Sequence, residues 1–157
     1  MGGAMTVDIG DRAPAFTLRD DSGGVVSLAD FAGGRLVLFF YPKAFTPGCT
    51  TEACDFRDAF TSFAAAGFSL AGVSPDGVDT LSRFRREHGL PFPMLSDPDH
   101  AVATAYGAWG TKTNYGREYQ GIIRSTFVIG PEGLIEKAWR NVKAKGHAAR
   151  VTDELAG

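Results

Sequence analysis

The run Leu36-Val37-Leu38-Phe39-Phe40 constrains the fold most, because five successive apolar residues leave a strand no face to turn toward water. Such a run reads as a strand buried on both sides. Pro42 and then Pro47-Gly48 end it and begin a turn. Beyond the turn, Cys49, Ala53, Phe56, Phe60 and Phe63 recur at helical spacing, so they share one face of a helix that continues to about Ala66.

Cys49 thereby falls in the first turn of that helix, at the head of its buried face. Free N–H groups and the positive end of the helix dipole favour an anion there, which makes Cys49 a candidate nucleophile. The other cysteine, Cys54, follows five residues later. On a regular helix, positions i and i+5 have Cα atoms roughly 8.6 Å apart and point about 140° away from each other. Disulfides seldom tolerate more than about 7 Å between Cα atoms. A Cys49–Cys54 bond therefore requires the helix start to unwind, which suits a transient disulfide and not a structural one.

The segment Pro42-Lys43-Ala44-Phe45-Thr46-Pro47-Gly48-Cys49 carries a Pro-x-x-x-Thr-x-x-Cys pattern that resembles the peroxiredoxins. A second cysteine five positions on is similar to their bacterioferritin-comigratory, or Q-type, branch. The likeness extends through Gly10–Phe16, Gly72–Pro75, Leu95–Pro98 and Arg124–Ile129. It implies a thiol-dependent peroxidase that reduces hydrogen peroxide and organic hydroperoxides without metal, haem or flavin.

The resemblance assigns a task to each matched position. Cys49 is expected to attack the peroxide and become a sulfenic acid. Arg124 is expected to hold the thiolate charged and to hydrogen-bond the peroxide oxygens, its alternative being a surface ion pair. Thr46 offers its hydroxyl to the peroxide or to the thiolate, or simply caps the helix. Pro42 shields the sulfur, or only terminates the strand. Glu52 orients the arginine, or serves the helix dipole as an acidic residue of the first turn. Cys54 resolves the sulfenic acid as a disulfide that an external dithiol, thioredoxin by family likeness, then reduces; otherwise it is an inert small side chain. Lys43 and Phe45 face an undetermined direction, and Phe45 departs from the smaller, flexible or acidic residues expected of relatives.

Length and composition are compatible with one domain over 1–157, large enough for a full core. A net charge of −2 from 16 basic and 18 acidic side chains, well mixed, shows no stripe for nucleic acid and no run for a membrane surface. The start lacks a basic region followed by an apolar one, and no apolar run approaches the roughly 20 residues that span a bilayer. A soluble, cytoplasmic monomer is the expectation, with Met5 an equally good natural start. His88, His100 and His147 are scattered without paired ligand spacing, so zinc is not expected and each reads as an ordinary surface or capping residue.

Turn chemistry marks a hairpin of strands at 16–19 and 25–27, then a helical turn near Ser27–Phe31. After the cysteine helix come a strand at 68–73 and a helix at about 77–88, whose Arg83, Arg85, Arg86 and Glu87 face water. Pro91-Phe92-Pro93 forces extended chain, and Asp97 or Asp99 caps a short helix at 101–106. Residues 107–121 show no period and read as a long loop, in which Trp109, Tyr115 and Tyr119 edge a pocket or cover the core. A strand at 121–129, a turn, a strand at 134–139 and a helix from 146 to 155 complete the chain. The order is that of a thioredoxin-like α/β fold, a central mixed sheet flanked by helices, with an N-terminal hairpin and an inserted helix plus loop. Two other readings of the cysteines are a peroxide-responsive redox sensor acting through a partner and a disulfide oxidoreductase. The latter is weakened by a four-residue spacing where Cys-x-x-Cys is usual.

Overall fold

A computed structural model describes residues 7–155, so the alternative start at Met5 lies outside the described residues. In chain order the strands and helices are β1 (Thr17–Asp20), β2 (Val25–Ser27), a 3-10 turn (Leu28–Phe31), β3 (Arg35–Phe40), α1 (Pro47–Asp58), α2 (Phe60–Ala65) and β4 (Phe68–Ser74). They continue with α3 (Val78–His88), β5 (Met94–Ser96), α4 (Ala101–Ala105), β6 (Trp109–Asn114), β7 (Arg117–Ile122), β8 (Ser125–Ile129), β9 (Ile135–Trp139) and α5 (His147–Leu155).

The apolar run becomes β3, in the interior of a sheet ordered β2-β1-β5-β4-β3-β8-β9. It pairs in parallel with β4 and antiparallel with β8. Side chains alternate across a strand, and β3 divides its residues accordingly. Val37, Phe39 and Tyr41 enter a core with Cys49, Ala53 and Phe56 of α1, Leu81 and Phe84 of α3, and Val151 of α5. Leu36, Leu38 and Phe40 enter a second core with Phe16, Ala103, Tyr106, Phe127 and Ile135. This is the thioredoxin-like mixed sheet covered on both faces that the sequence implies.

Several boundaries differ from expectation. The helix expected to run on to Ala66 breaks at Ala59, whose φ of −92° and ψ of 0° tighten the chain into a turn between α1 and α2. Residues 107–121 are no loop: β6 and β7 form a hairpin joined by Tyr115 (φ 53°) and Gly116 (φ 78°), positive values that suit a two-residue turn between twisted strands. The hairpin is exposed along most of its length, so no alternation marks it. Trp109 packs toward the second core and stacks on His100, while Tyr115 at the tip is 97% exposed. The strand expected over 121–129 is two strands interrupted at Ile123 and Arg124.

The capping acids behave as expected, since Asp97 accepts from Val102 and Ala103 and Asp99 accepts from Ala101. Arg83, Arg86 and Glu87 do face water, but Arg85 pairs at 3.0 Å with the buried Asp21, which also accepts from the Met94 amide. His147 and His88 correct the expectation of ordinary surface or capping residues, whereas His100 does stand at the N-cap position of α4. His147 is fully buried with Nε2 2.7 Å from the Thr126 hydroxyl, and burial lowers its pKa to about 4. His88 is half-buried against Cys54.

Gly72 on β4 seats α1 on the sheet. A Cβ there would stand 2.8 Å from the Phe39 ring and 2.9 Å from the Met94 methyl, and Phe39 in turn stacks on Phe56 of α1 at 4.7 Å. Gly72→Ala is expected to destabilise the protein by about 1–3 kcal/mol through overpacking, measured by urea unfolding, and to slow Cys49 oxidation as α1 shifts.

Candidate active site

The turn between β3 and α1 is held from three sides. The Tyr41 amide donates to the Val73 carbonyl, extending the sheet by one residue past Phe40. The Ala44 amide donates at 2.7 Å to the Asp76 carboxylate beyond β4, which also accepts from the Ser74 hydroxyl. Thr46 donates its hydroxyl proton to the Lys43 carbonyl at 2.8 Å. Thr46 does occupy the N-cap position of α1, but its side chain makes no capping bond, which corrects the cap reading. With its proton committed to Lys43, the hydroxyl oxygen is left to accept.

Phe45 bends this turn with φ at 68°, a left-handed conformation costly for a bulky side chain. Packing offsets the strain: its ring meets Phe84 edge-on at 5.2 Å and lies under the Arg83 guanidinium at 5.4 Å. A smaller or acidic residue would adopt this φ more readily, which gives the departure at Phe45 a physical meaning. Lys43 points to solvent, and Pro42 is half-buried where β3 ends, next to Tyr41 of the core that holds Cys49.

Cys49 is the third residue of α1 and 2% exposed. Arg124 reaches it from the break between β7 and β8, which lets the side chain leave the sheet; its backbone carbonyl is meanwhile held by the Val142 amide. One guanidinium nitrogen lies 3.3 Å from Cys49 Sγ and another donates at 2.5 Å to Glu52 Oε1. Gly48 lies against this guanidinium, where a Cβ would meet Arg124 Nη2 at 3.4 Å, an ordinary contact distance. The alternative of a surface ion pair for Arg124 is set aside, since its pair with Glu52 is largely buried, the two side chains being 14% and 0% exposed.

Glu52 is not in the first turn of α1, and its carboxylate faces Arg124, so the helix-dipole alternative is set aside. Burial pushes Glu52 up to about 7 despite the pull of Arg124, and its Oε2 has no hydrogen-bond partner. Burial works against the Arg124 charge, yet Glu52 and Cys49 outweigh it and its pKa lies above the ordinary guanidinium value. Two further residues border the site without any signal in the motif. Tyr41 is buried beside it with an unbonded hydroxyl, its phenol held neutral by burial, while the adjacent Ser74 hydroxyl is committed to Asp76. Lys112 on β6 has its pKa lowered by burial and by the Arg124 charge.

Cys54 lies on the same unbroken helix as Cys49, and both are free thiols. The structure thus joins Cys49, Arg124 and Glu52 directly, puts Thr46 and Pro42 in the adjoining turn, and leaves Cys54 facing α3.

A thioredoxin-like sheet that presents a buried cysteine to an arginine at a helix start defines a class of thiol-reacting proteins, and the relatives of the chain narrow it. Residues 9–138 match the AhpC/TSA family. Peroxiredoxin Bcp of Bacillus subtilis is 49% identical over 151 residues, 96% of each chain. Peroxiredoxin Bcp of Escherichia coli is 44% identical over 138 residues, 88% of each. Among solved structures, the Xanthomonas campestris bacterioferritin comigratory protein, described for alkyl peroxide reduction activity, superposes with a TM-score of 0.84 at 41% identity over 89% of each chain. The chain belongs to the AhpC/TSA family, in its Bcp or Q-type peroxiredoxin group. It is a thiol peroxidase, acting on peroxides with thiol reductants.

A carboxyl raised in the folded state contributes stability that is present at low pH and lost as pH rises from about 4.5 toward 7. Arg124→Ala would leave Glu52 buried without its cation. It is expected to destabilise by about 3 kcal/mol at pH 8 and by clearly less at pH 5, where the carboxyl is protonated in both proteins; urea unfolding at the two values checks this. Peroxide oxidation of Cys49 should fall about 100-fold or more in the same variant.

Proposed function

We propose that Cys49 is the peroxidatic thiol, Arg124 its electrostatic partner, and Cys54 the thiol that resolves it within one chain. The observation that carries this reading is the Arg124 guanidinium bonded to Cys49 Sγ on one arm and Glu52 on the other. The thiolate attacks the hydroxyl oxygen of a hydroperoxide; the S–O bond forms as the O–O bond breaks, and the electron pair leaves with the distal oxygen. Arg124 stabilises that developing charge, and the departing alkoxide or hydroxide takes a proton from solvent. Thr46, its own proton held by Lys43, accepts a hydrogen bond from the O–H under attack. Glu52 restrains the guanidinium, and Pro42 shields the turn from water.

The sulfenic acid then meets Cys54. The Cys54 sulfur, after losing its proton, bonds to Cys49 Sγ; the S–O bond breaks, and hydroxide leaves to become water. Because both residues lie in α1, this step needs local unwinding of the helix. An external dithiol, thioredoxin or a protein like it, reduces the disulfide by exchange. Substrates are hydrogen peroxide and organic hydroperoxides, the latter in keeping with the activity ascribed to the Xanthomonas relative. We place the protein as a single-domain monomer in the cytoplasm, where thiols are kept reduced. Among the described residues, no helix is long and apolar enough to cross a membrane.

Intact mass after one equivalent of hydrogen peroxide, followed by a tryptic map, tests the cycle. Loss of two hydrogens with Cys49 linked to Cys54 in one molecule is expected; oxygen on Cys49 alone would remove Cys54 from the resolving role. Cys54→Ser is expected to retain the first oxidation, stall turnover with thioredoxin and accumulate over-oxidised Cys49, and multi-turnover rates equal to the parent would overturn that role.

A further inference from the structure

Cys54 has a neighbour that the peroxidatic motif does not explain. Its Sγ lies 3.7 Å from Nδ1 of His88, the last residue of α3, at hydrogen-bond distance for sulfur. The imidazole is fixed in place: Phe84 meets it edge-on at 5.2 Å, Phe45 lies 6.3 Å away, and its backbone carbonyl accepts from Arg57 Nη1 at 2.8 Å. We infer that His88 is the proton acceptor for Cys54 in the resolving step, and that it anchors Cys54 while the Cys49 end of α1 unwinds to meet it. This inference rests on Cys54 as the resolving thiol.

The chemistry needs no further reagent. With its own proton on Nε2, the ring turns the Nδ1 lone pair toward the thiol. His88 takes the Cys54 proton, the thiolate displaces hydroxide from the Cys49 sulfenic acid, and the imidazolium proton ends on that hydroxide as water. Imidazole is the side chain whose ordinary titration lies nearest neutrality, so it both accepts and returns a proton at working pH.

The packing of α1 says which end moves. Beyond Cys54, Phe56 is fully buried and stacked on Phe39, and Arg57 ties the helix to the end of α3. Before Cys49, the N-cap side chain makes no capping bond, Pro47 is exposed, Gly48 weakens the turn, and Phe45 is held in a strained φ. With Cys49 as the reacting thiolate, its attraction to Arg124, 3.3 Å away, adds to what holds that first turn. Oxidation to a neutral sulfenic acid removes it. The weak end is therefore released by the first chemical step, while Cys54 stays docked on His88.

The charged groups around the pair are few. Arg57, itself paired with Asp58, faces it from α1; Arg83 lies over Phe45 on the α3 side, and Arg86 and Glu87 are exposed just before His88. None of these carboxylates reaches His88 by a hydrogen bond, so the imidazole is the base within reach of the thiol.

The test is rapid-quench intact mass after one equivalent of hydrogen peroxide, at pH 6 to 9, for the parent, His88→Asn, His88→Ala and Cys54→Ser. Asn keeps a hydrogen-bond acceptor near the Nδ1 position but cannot take the proton. Cys49 oxidation should proceed at the parental rate in both His88 variants, which also reports that they fold. Disulfide formation should slow about tenfold or more at pH 7 and approach the parental rate near pH 9, where solvent ionises a thiol unaided. Parental disulfide rates at pH 7, or an equal loss at every pH, would overturn the base. Hydrogen exchange of the disulfide form should show protection lost over 46–51 and kept over 54–58; loss across the whole helix would overturn the anchor. A parent that forms no Cys49–Cys54 disulfide would remove the resolving role of Cys54 and the inference with it, whereas a normal parent with unaffected His88 variants removes only His88.

Discussion

The guanidinium of Arg124 is the interaction on which the site depends. It is buried between a thiol and a carboxylate, and each of its partners is itself withdrawn from water. A buried cation without a counter-charge is costly, and a buried carboxylate without a cation equally so. Glu52 and Arg124 therefore keep each other in place, and the arm of the guanidinium left over is aimed at Cys49. The rest of the local structure serves this approach: the break between β7 and β8 releases the side chain from the sheet, and Val142 holds the backbone of Arg124.

The second organising fact is that one helix carries both cysteines. A helix keeps residues five apart on different faces, so Cys49 looks toward Arg124 while Cys54 looks toward α3. The same helix that sets Cys49 beside Arg124 keeps the two sulfurs on different faces. Stability along α1 is uneven, with aromatic packing after Cys54 and a strained, weakly capped turn before Cys49. Local opening in such a helix begins where the buried apolar contacts are fewest.

Phe45 links these two features. Its left-handed backbone sets the turn that delivers Thr46 and Cys49, and its ring rests on Phe84 and approaches His88. Strain in the turn is thus offset by packing on the helix that also receives Cys54. The turn before Cys49 and the second thiol share one support, although they point to different sides of α1.

The buried strand and the helix start just before Cys49 are legible in local periodicity and turn residues, and the Pro-x-x-x-Thr-x-x-Cys pattern in its spacing, whereas the order of strands in the sheet is not. The pairing of β6 with β7 was not legible: an exposed hairpin buries little, so its residues need no alternation, and Tyr115-Gly116 is not a common hairpin turn. The break at Ala59 likewise has no proline or glycine to announce it. It takes the folded chain to turn Glu52 inward to Arg124, send the Thr46 proton to Lys43, bury His147 and bring His88 to Cys54. These are contacts between residues separated by up to 75 positions or turned by a local bend, and pattern along a chain carries no record of which side chains a fold brings within hydrogen-bond reach.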